Sequence, residues 1–144
     1  MIKNNFYELE NVLKEKVNKA FILVEASLED LAFYKLGKSY TPKELEPYDA
    51  LADRFIRCVE VFLKYFKAYE YHNFANKSAT LRDGLNVMEK VGLISNTLIW
   101  MKMRDVRNRI VHNYMPEQTK NMFDSIMGEF YKELKYSKNK IEAV

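Results

Sequence analysis

The sequence predicts an all-α protein, an antiparallel up-and-down bundle of four main helices plus one short helix. Three observations lead there. Chain breakers are scarce, with four glycines and three prolines in 144 residues. Apolar residues recur at helical spacing almost throughout, where strands would alternate. The periodic stretches are long and their links short, which favours antiparallel neighbours in a bundle. The chain is read as one domain, residues 1–144, large enough to bury a core without staples.

The first helix is expected from about Asn5 to Leu36. Phe6, Leu9, Leu13, Val17, Phe21, Val24, Leu28 and Leu31 form one stripe, and Gly37 stands in the C-cap position. The second begins near Thr41-Pro42 or Pro47 and reaches about Tyr71. Its stripe of Leu51, Phe55, Val59, Phe62, Phe66 and Tyr69 is widened by Ile56 and Leu63. So broad an apolar surface predicts two buried sides, one on the core and one on a partner. Asp53, Arg57, Glu60 and Lys64 make an alternating charged stripe on the same helix, read as solvated.

A short third helix runs from about Ser78 to Val91 and closes at Gly92. Ser95 is read as the cap of the fourth helix, which ends near Asn113, before Met115-Pro116. The fifth starts at Pro116, a favoured first-turn position. It turns Met122, Phe123, Ile126, Met127, Phe130 and Leu134 inward and continues into the lysine-rich stretch Lys132 to Lys140.

Composition excludes several classes of function. The single cysteine, Cys58, rules out an internal disulfide framework, suits a reducing cytosol, and lies on an apolar stripe as a buried thiol. Two histidines and one cysteine cannot build a structural zinc site within one chain. Ferritin-like Glu-x-x-His pairs and a glycine-rich phosphate loop are both missing, so no metal or cofactor is expected. The longest clear apolar run, Ala20 to Val24, is far too short to span a bilayer. The first residues pass directly into a charged helical pattern, so no signal peptide and a cytoplasmic location are expected. A net charge of +3 is too mild to argue for nucleic acid by itself.

Chemistry concentrates in one stretch. Residues 101–114 carry Lys102, Arg104, Arg107 and Arg109 against Asp105 alone, followed by His112 and Tyr114. Arginine holds a phosphate through a bidentate fork, and histidine moves protons near neutral pH. Asn108, one turn before His112 on the same face, can orient the ring or bind a phosphate oxygen. Arg107 lies roughly 140 degrees from His112 around a regular helix, so the two make no tight pair along one stripe. Trp100 and Met103 are read as packing residues, Arg109 and Asp105 as a surface pair, and His72 as structural.

The spacing Arg107, four residues, His112, one residue, Tyr114 resembles the signature of HEPN domains. Asn108 after the arginine, Gly92-Leu93-Ile94 and Trp100-x-x-Met103 strengthen the likeness. The resemblance points to the HepT-like toxins and their sister proteins, the nucleotidyltransferase substrate-binding proteins. It implies a small helical homodimer paired with an MNT-type nucleotidyltransferase antitoxin, with metal-independent RNA cleavage in the toxin members. Arg107 and His112 are then the catalytic pair, and Asn108 assists in holding the phosphate. Tyr114 is the position at which such a partner transfers AMP.

Metal-free cleavage uses the ribose 2'-hydroxyl as nucleophile and needs an acid, a base and a cation near the phosphorane. One chain offers one suitable histidine, so a two-fold dimer joining helices two and four is expected to complete the site. A binding module that holds a nucleotide or docks the nucleotidyltransferase, without cleavage, draws on the same residues and remains open. A purely structural bundle is the third reading, and it needs the whole motif to be coincidence.

Overall fold

In the computed structural model, residues 2–110 and 116–144 are described, and the regular structure among them is helical. Helix α1 covers Ile2–Leu28, α2 Pro42–Phe74, α3 Leu81–Lys90 and α4 Thr97–Ile110. The last helix, α5, is α-helical over Pro116–Ser125, a π-helical turn over Ile126–Phe130, and α-helical again over Tyr131–Glu142. No helix among the described residues is long and apolar enough to cross a membrane.

Caps explain why α2 and α3 begin and end where they do. The Thr41 hydroxyl accepts from Glu44 N, and the Glu44 carboxylate accepts from Thr41 N, each at 3.1 Å. This reciprocal box, with Pro42 in the first turn, satisfies two donors that would otherwise be orphaned. Thr80 caps α3 by accepting from Asp83 N at 3.1 Å. At the far end, Gly92 N bonds Glu89 O and Leu93 N bonds Met88 O, with Gly92 at φ +83°. That is a Schellman closure, and its apolar contact is supplied by buried Met88 and Leu93.

α2 runs three residues past the expected Tyr71 and α3 starts three after the expected Ser78, and two further boundaries differ for reasons of tertiary contact. α1 stops at Leu28, short of Leu36, and Gly37 sits in a later turn at φ +81°. The residues beyond Leu28 gain more from tertiary packing than from helix. Tyr34 stacks on Tyr40 with centroids 4.8 Å apart and on Phe123 at 5.7 Å, and meets the edge of Tyr48. The Tyr48 hydroxyl donates to the Ala32 carbonyl, and Lys35 N donates to the Tyr40 hydroxyl. An aromatic box of this kind outweighs the modest helix propensity of the segment.

The α4 cap is Asn96, one residue beyond Ser95. Asn96 Oδ1 accepts from Leu98 N at 2.7 Å and Ile99 N at 3.3 Å. Ser95 is otherwise engaged, because its N–H and its hydroxyl both donate to the buried Glu133 carboxylate on α5.

Side-chain contacts give the topology. His72 near the end of α2 bonds Glu10 near the start of α1. Arg54 near the start of α2 donates to the Leu23 carbonyl and the Ser27 hydroxyl near the end of α1. Those helices are antiparallel. Phe66 meets Trp100 while Glu60 meets Arg107, so α4 also runs against α2. Tyr48 touches Phe123 and Phe55 stacks on Phe130, which makes α5 parallel to α2. The main helices therefore go up, down, up, down, with α3 as a short link between α2 and α4.

α2 is the axis of this arrangement. Leu51, Phe55, Cys58, Val59, Phe62 and Tyr65 are all fully buried. Ile56 and Leu63, which widen the apolar stripe, are only partly buried. α1 covers one flank of α2, and α3, α4 and α5 cover others. Cys58 sits in this core, and burial pushes its thiol up to about 12. Trp100 and Met103 are buried as expected, with Trp100 wedged against Phe62 and Phe66. Met122, Phe123, Ile126, Phe130 and Leu134 of α5 point inward, and Met127 is only partly buried at the π turn.

Candidate functional site

The site is built from the face of α4 that the core does not claim. Trp100, Met103 and Val106, three residues apart, form the buried ridge of this helix. Their spacing leaves Lys102, Arg104, Asp105, Asn108 and Arg109 exposed, and Arg107 at the flank where α4 meets α2. The outcome is a basic surface on a rigid, buried backbone, one cation per turn or better.

Arg107 is not a solitary cation. Its Nη2 lies 2.8 Å from Oε1 of Glu60 on α2, in a half-exposed pair. Such a pair contributes about 0–1 kcal/mol to stability. Its larger effect is on orientation, since a carboxylate holds the guanidinium fork in the plane a phosphate would use. A phosphate arriving at Arg107 must share the fork with Glu60 or displace it. Asn108 follows directly but faces solvent, so the two side chains project from different sides of α4. His112 and Tyr114 lie outside the described residues, and so does the separation of Arg107 from His112.

Arg109 takes a different place from the surface pair expected with Asp105. It lines a small recess of about 120 Å³ with Val106 and the first turns of α5, and no ion pair joins it to Asp105 among the described residues. Arg104, one turn before Arg107, reaches the wall of a much larger cavity shared with α2 and α3. Among the described residues no group of three or more His, Cys, Asp or Glu side chains is placed to hold a metal ion.

His72 is structural in the described fold. Its Nδ1 bonds the Glu10 carboxylate, and its ring meets Tyr7 at 5.4 Å, which ties the end of α2 to the start of α1. Asp53 and Arg57 pair at 3.1 Å on the solvated side of α2 as the charge pattern anticipates. Glu60, read as one more solvated charge of that stripe, proves to be the partner of Arg107. Its sequence signal was a place in a row of charges on α2, which is no signal of contact.

Comparison with known proteins identifies one family. A family model described as nucleotidyltransferase substrate binding protein like matches residues 3–143, nearly the whole chain. No curated protein matches the chain.

Proposed function

The chain belongs to the family described as nucleotidyltransferase substrate binding protein like, and we propose that it serves as the companion subunit of a nucleotidyltransferase. In this reading it is a cytoplasmic binding module that docks the transferase and holds its substrate or nucleotide. The observation that carries the proposal is the family match across the whole bundle. It is supported by the exposed cations of α4, Lys102, Arg104 and Arg109, beside the half-exposed Arg107. A surplus of positive charge on a helix surface steers and retains phosphate-bearing molecules. The test is to co-express the chain with a nucleotidyltransferase encoded beside it and measure complex formation by size exclusion with light scattering. A stable mixed complex that weakens when Arg104 and Arg109 are replaced by alanine is expected. Separate elution at micromolar concentrations of both proteins counts against the reading.

The motif Arg107, Asn108, His112, Tyr114 favours a second reading, that of a HepT-like toxin. Here two chains form a homodimer in which two copies of His112 and Arg107 share one cleft. One His112 takes the proton of the ribose 2'-hydroxyl while the other protonates the leaving 5'-oxygen, and Arg107 and Asn108 hold the phosphate. AMP transferred by the partner to Tyr114 adds an anion beside these cations and blocks the cleft. The pairing of Arg107 with Glu60 bears on this reading, because the fork must turn from the carboxylate to the RNA phosphate. Incubating the chain with end-labelled RNA in chelator separates the two readings. Cleavage that disappears in His112→Ala supports the toxin, and intact RNA leaves the companion subunit.

A further inference from the structure

The C-terminal turns of α2, the link to α3, the first turns of α3 and Arg104 of α4 enclose a cavity of about 510 Å³. That lies within the range of roughly 300–1,000 Å³ that small-molecule sites occupy. It stands apart from the Arg107–Glu60 pair, on the other side of Leu63 along α2, and neither Arg107 nor Asn108 lines it.

Its chemistry is uneven in an informative way. The floor is apolar, made by Leu63, Phe66 and Leu85. The wall brings together three cations, Lys67 and Lys77 from α2 and its link and Arg104 from α4. Among the described residues none of the three has a carboxylate partner. The Lys77 ammonium rests over the Tyr71 ring, 4.9 Å from its centroid. Cations that line one cavity without an ion-pair partner repel one another, and an anion between them relieves that repulsion.

One carboxylate, Glu70, is also on the wall, but it is committed elsewhere. It is 3% exposed and accepts from Ser78 N, the Ser78 hydroxyl and the Asn76 amide, so it shapes the α2–α3 link. Three cations against this carboxylate leave a surplus of two positive charges on the wall. Asp83 in the first turn of α3 is exposed and is not part of the wall. The Thr80 hydroxyl, which accepts from Asp83 N, keeps its own proton to donate.

Gly84 adds an independent observation. It lies inside α3 and on the cavity wall, where glycine costs about 0.5–1 kcal/mol relative to alanine. Packing does not require it, since a Cβ there would meet nothing nearer than Ser78 Cβ at 3.6 Å. What glycine does provide is bare backbone facing the cavity, which permits close approach of a ligand.

We propose that this cavity binds a phosphorylated small molecule. A phosphate monoester dianion matches the surplus of two charges, held by Lys67, Lys77 and Arg104. The uncharged body of the ligand lies over Leu63, Phe66 and Leu85. The proposal gives the companion-subunit reading a substrate class and a seat, and rests on that reading for the ligand's role alone.

The experiment is titration calorimetry on the full chain at low salt, with inorganic phosphate, AMP, adenosine, glucose 6-phosphate and glucose as probes. At least one phosphorylated probe is expected to bind tenfold or more tightly than its unphosphorylated counterpart. Strongest binding by AMP assigns the ligand body to a nucleoside, and strongest binding by glucose 6-phosphate to a sugar. Lys67→Ala combined with Arg104→Ala, both exposed positions, should lose at least tenfold in affinity with the melting temperature unchanged. Phosphorylated probes that bind no better than adenosine or glucose overturn the proposal, and so does a double variant that binds like wild type. Complex formation with the neighbouring nucleotidyltransferase is measured on the same samples. A complex that forms without phosphate binding defeats this site alone, and phosphate binding without a complex defeats the companion-subunit reading alone.

Discussion

Arg107 of α4 and Glu60 of α2 are joined at 2.8 Å, across a separation of 47 positions in the chain. The carboxylate therefore occupies the guanidinium fork that a phosphate at Arg107 would use. Glu60→Gln should leave stability within about 0.5 kcal/mol, because the pair is half-exposed. It should strengthen binding of an RNA or nucleotide phosphate at Arg107 several-fold, and Arg107→Ala should weaken it. Fluorescence anisotropy with a short labelled RNA measures both. Equal affinities for wild type and Glu60→Gln would show that the carboxylate does not compete.

Glu133 makes the opposite kind of contact, buried and fully used. Its carboxylate accepts from Ser95 N at 2.9 Å, from the Ser95 hydroxyl, and from Trp100 Nε1 at 2.7 Å. Glu133→Ala leaves the buried Trp100 N–H without an acceptor and turns the Ser95 donors over to solvent, and should cost about 2 kcal/mol. Trp100 is the single tryptophan, so urea unfolding followed by its fluorescence reports the change directly. A loss under about 1 kcal/mol would mean that water replaces the carboxylate freely.

These contacts also explain what was legible in the sequence. The start of α2 and the close of α3 were read closely because Thr41, Pro42 and Gly92 are local signals, acting within four residues of the ends they define. The end of α1 was overrun because nothing between Leu28 and Gly37 breaks a helix. What stops it is the set of rings Tyr34, Tyr40, Tyr48 and Phe123, and one of these lies nearly ninety positions from another. Ser95 was read as a cap for the same reason, since its hydroxyl is claimed by Glu133 on a distant helix. The π turn at Ile126–Phe130 leaves no mark in apolar spacing that distinguishes it from regular helix. At the candidate site, the sequence singled out the basic turn of α4 but not Glu60 or the cavity, which exist only where three helices meet.

Two glycines should respond to alanine with opposite signs. Gly92 at φ +83° closes α3 in a conformation that a Cβ disfavours, so Gly92→Ala should destabilise by about 1 kcal/mol. Gly84 is helical with room for a Cβ, so Gly84→Ala should stabilise by up to about 1 kcal/mol. If the bare backbone at Gly84 admits a ligand, the same variant should also lower phosphate affinity. Thermal melts of the two variants side by side check the signs, and a shift in the same direction for both would contradict the glycine geometry.

The last prediction concerns alkaline pH and starts from Cys58. The thiol is completely enclosed by the core, and burial raises it from 9.0 to about 12. Between those values the unfolded chain loses the proton while the folded chain keeps it. The folded state then binds more protons, so stability falls as pH rises. The contribution is fully present below pH 9 and is lost progressively toward pH 12, amounting to about 4 kcal/mol at most. Buried Tyr65 is shifted in the same direction, chiefly by desolvation and then by Glu10, and adds to the slope at higher pH. Urea unfolding at pH 8, 9, 10 and 11 should show a steady loss of stability in wild type. Cys58→Ala should be less stable at pH 8 through lost packing, yet show a shallower decline between pH 9 and 10, since the tyrosine contribution is common to both proteins. Parallel declines in the two proteins over that interval would mean that the thiol ionises in the folded state as readily as in the unfolded one.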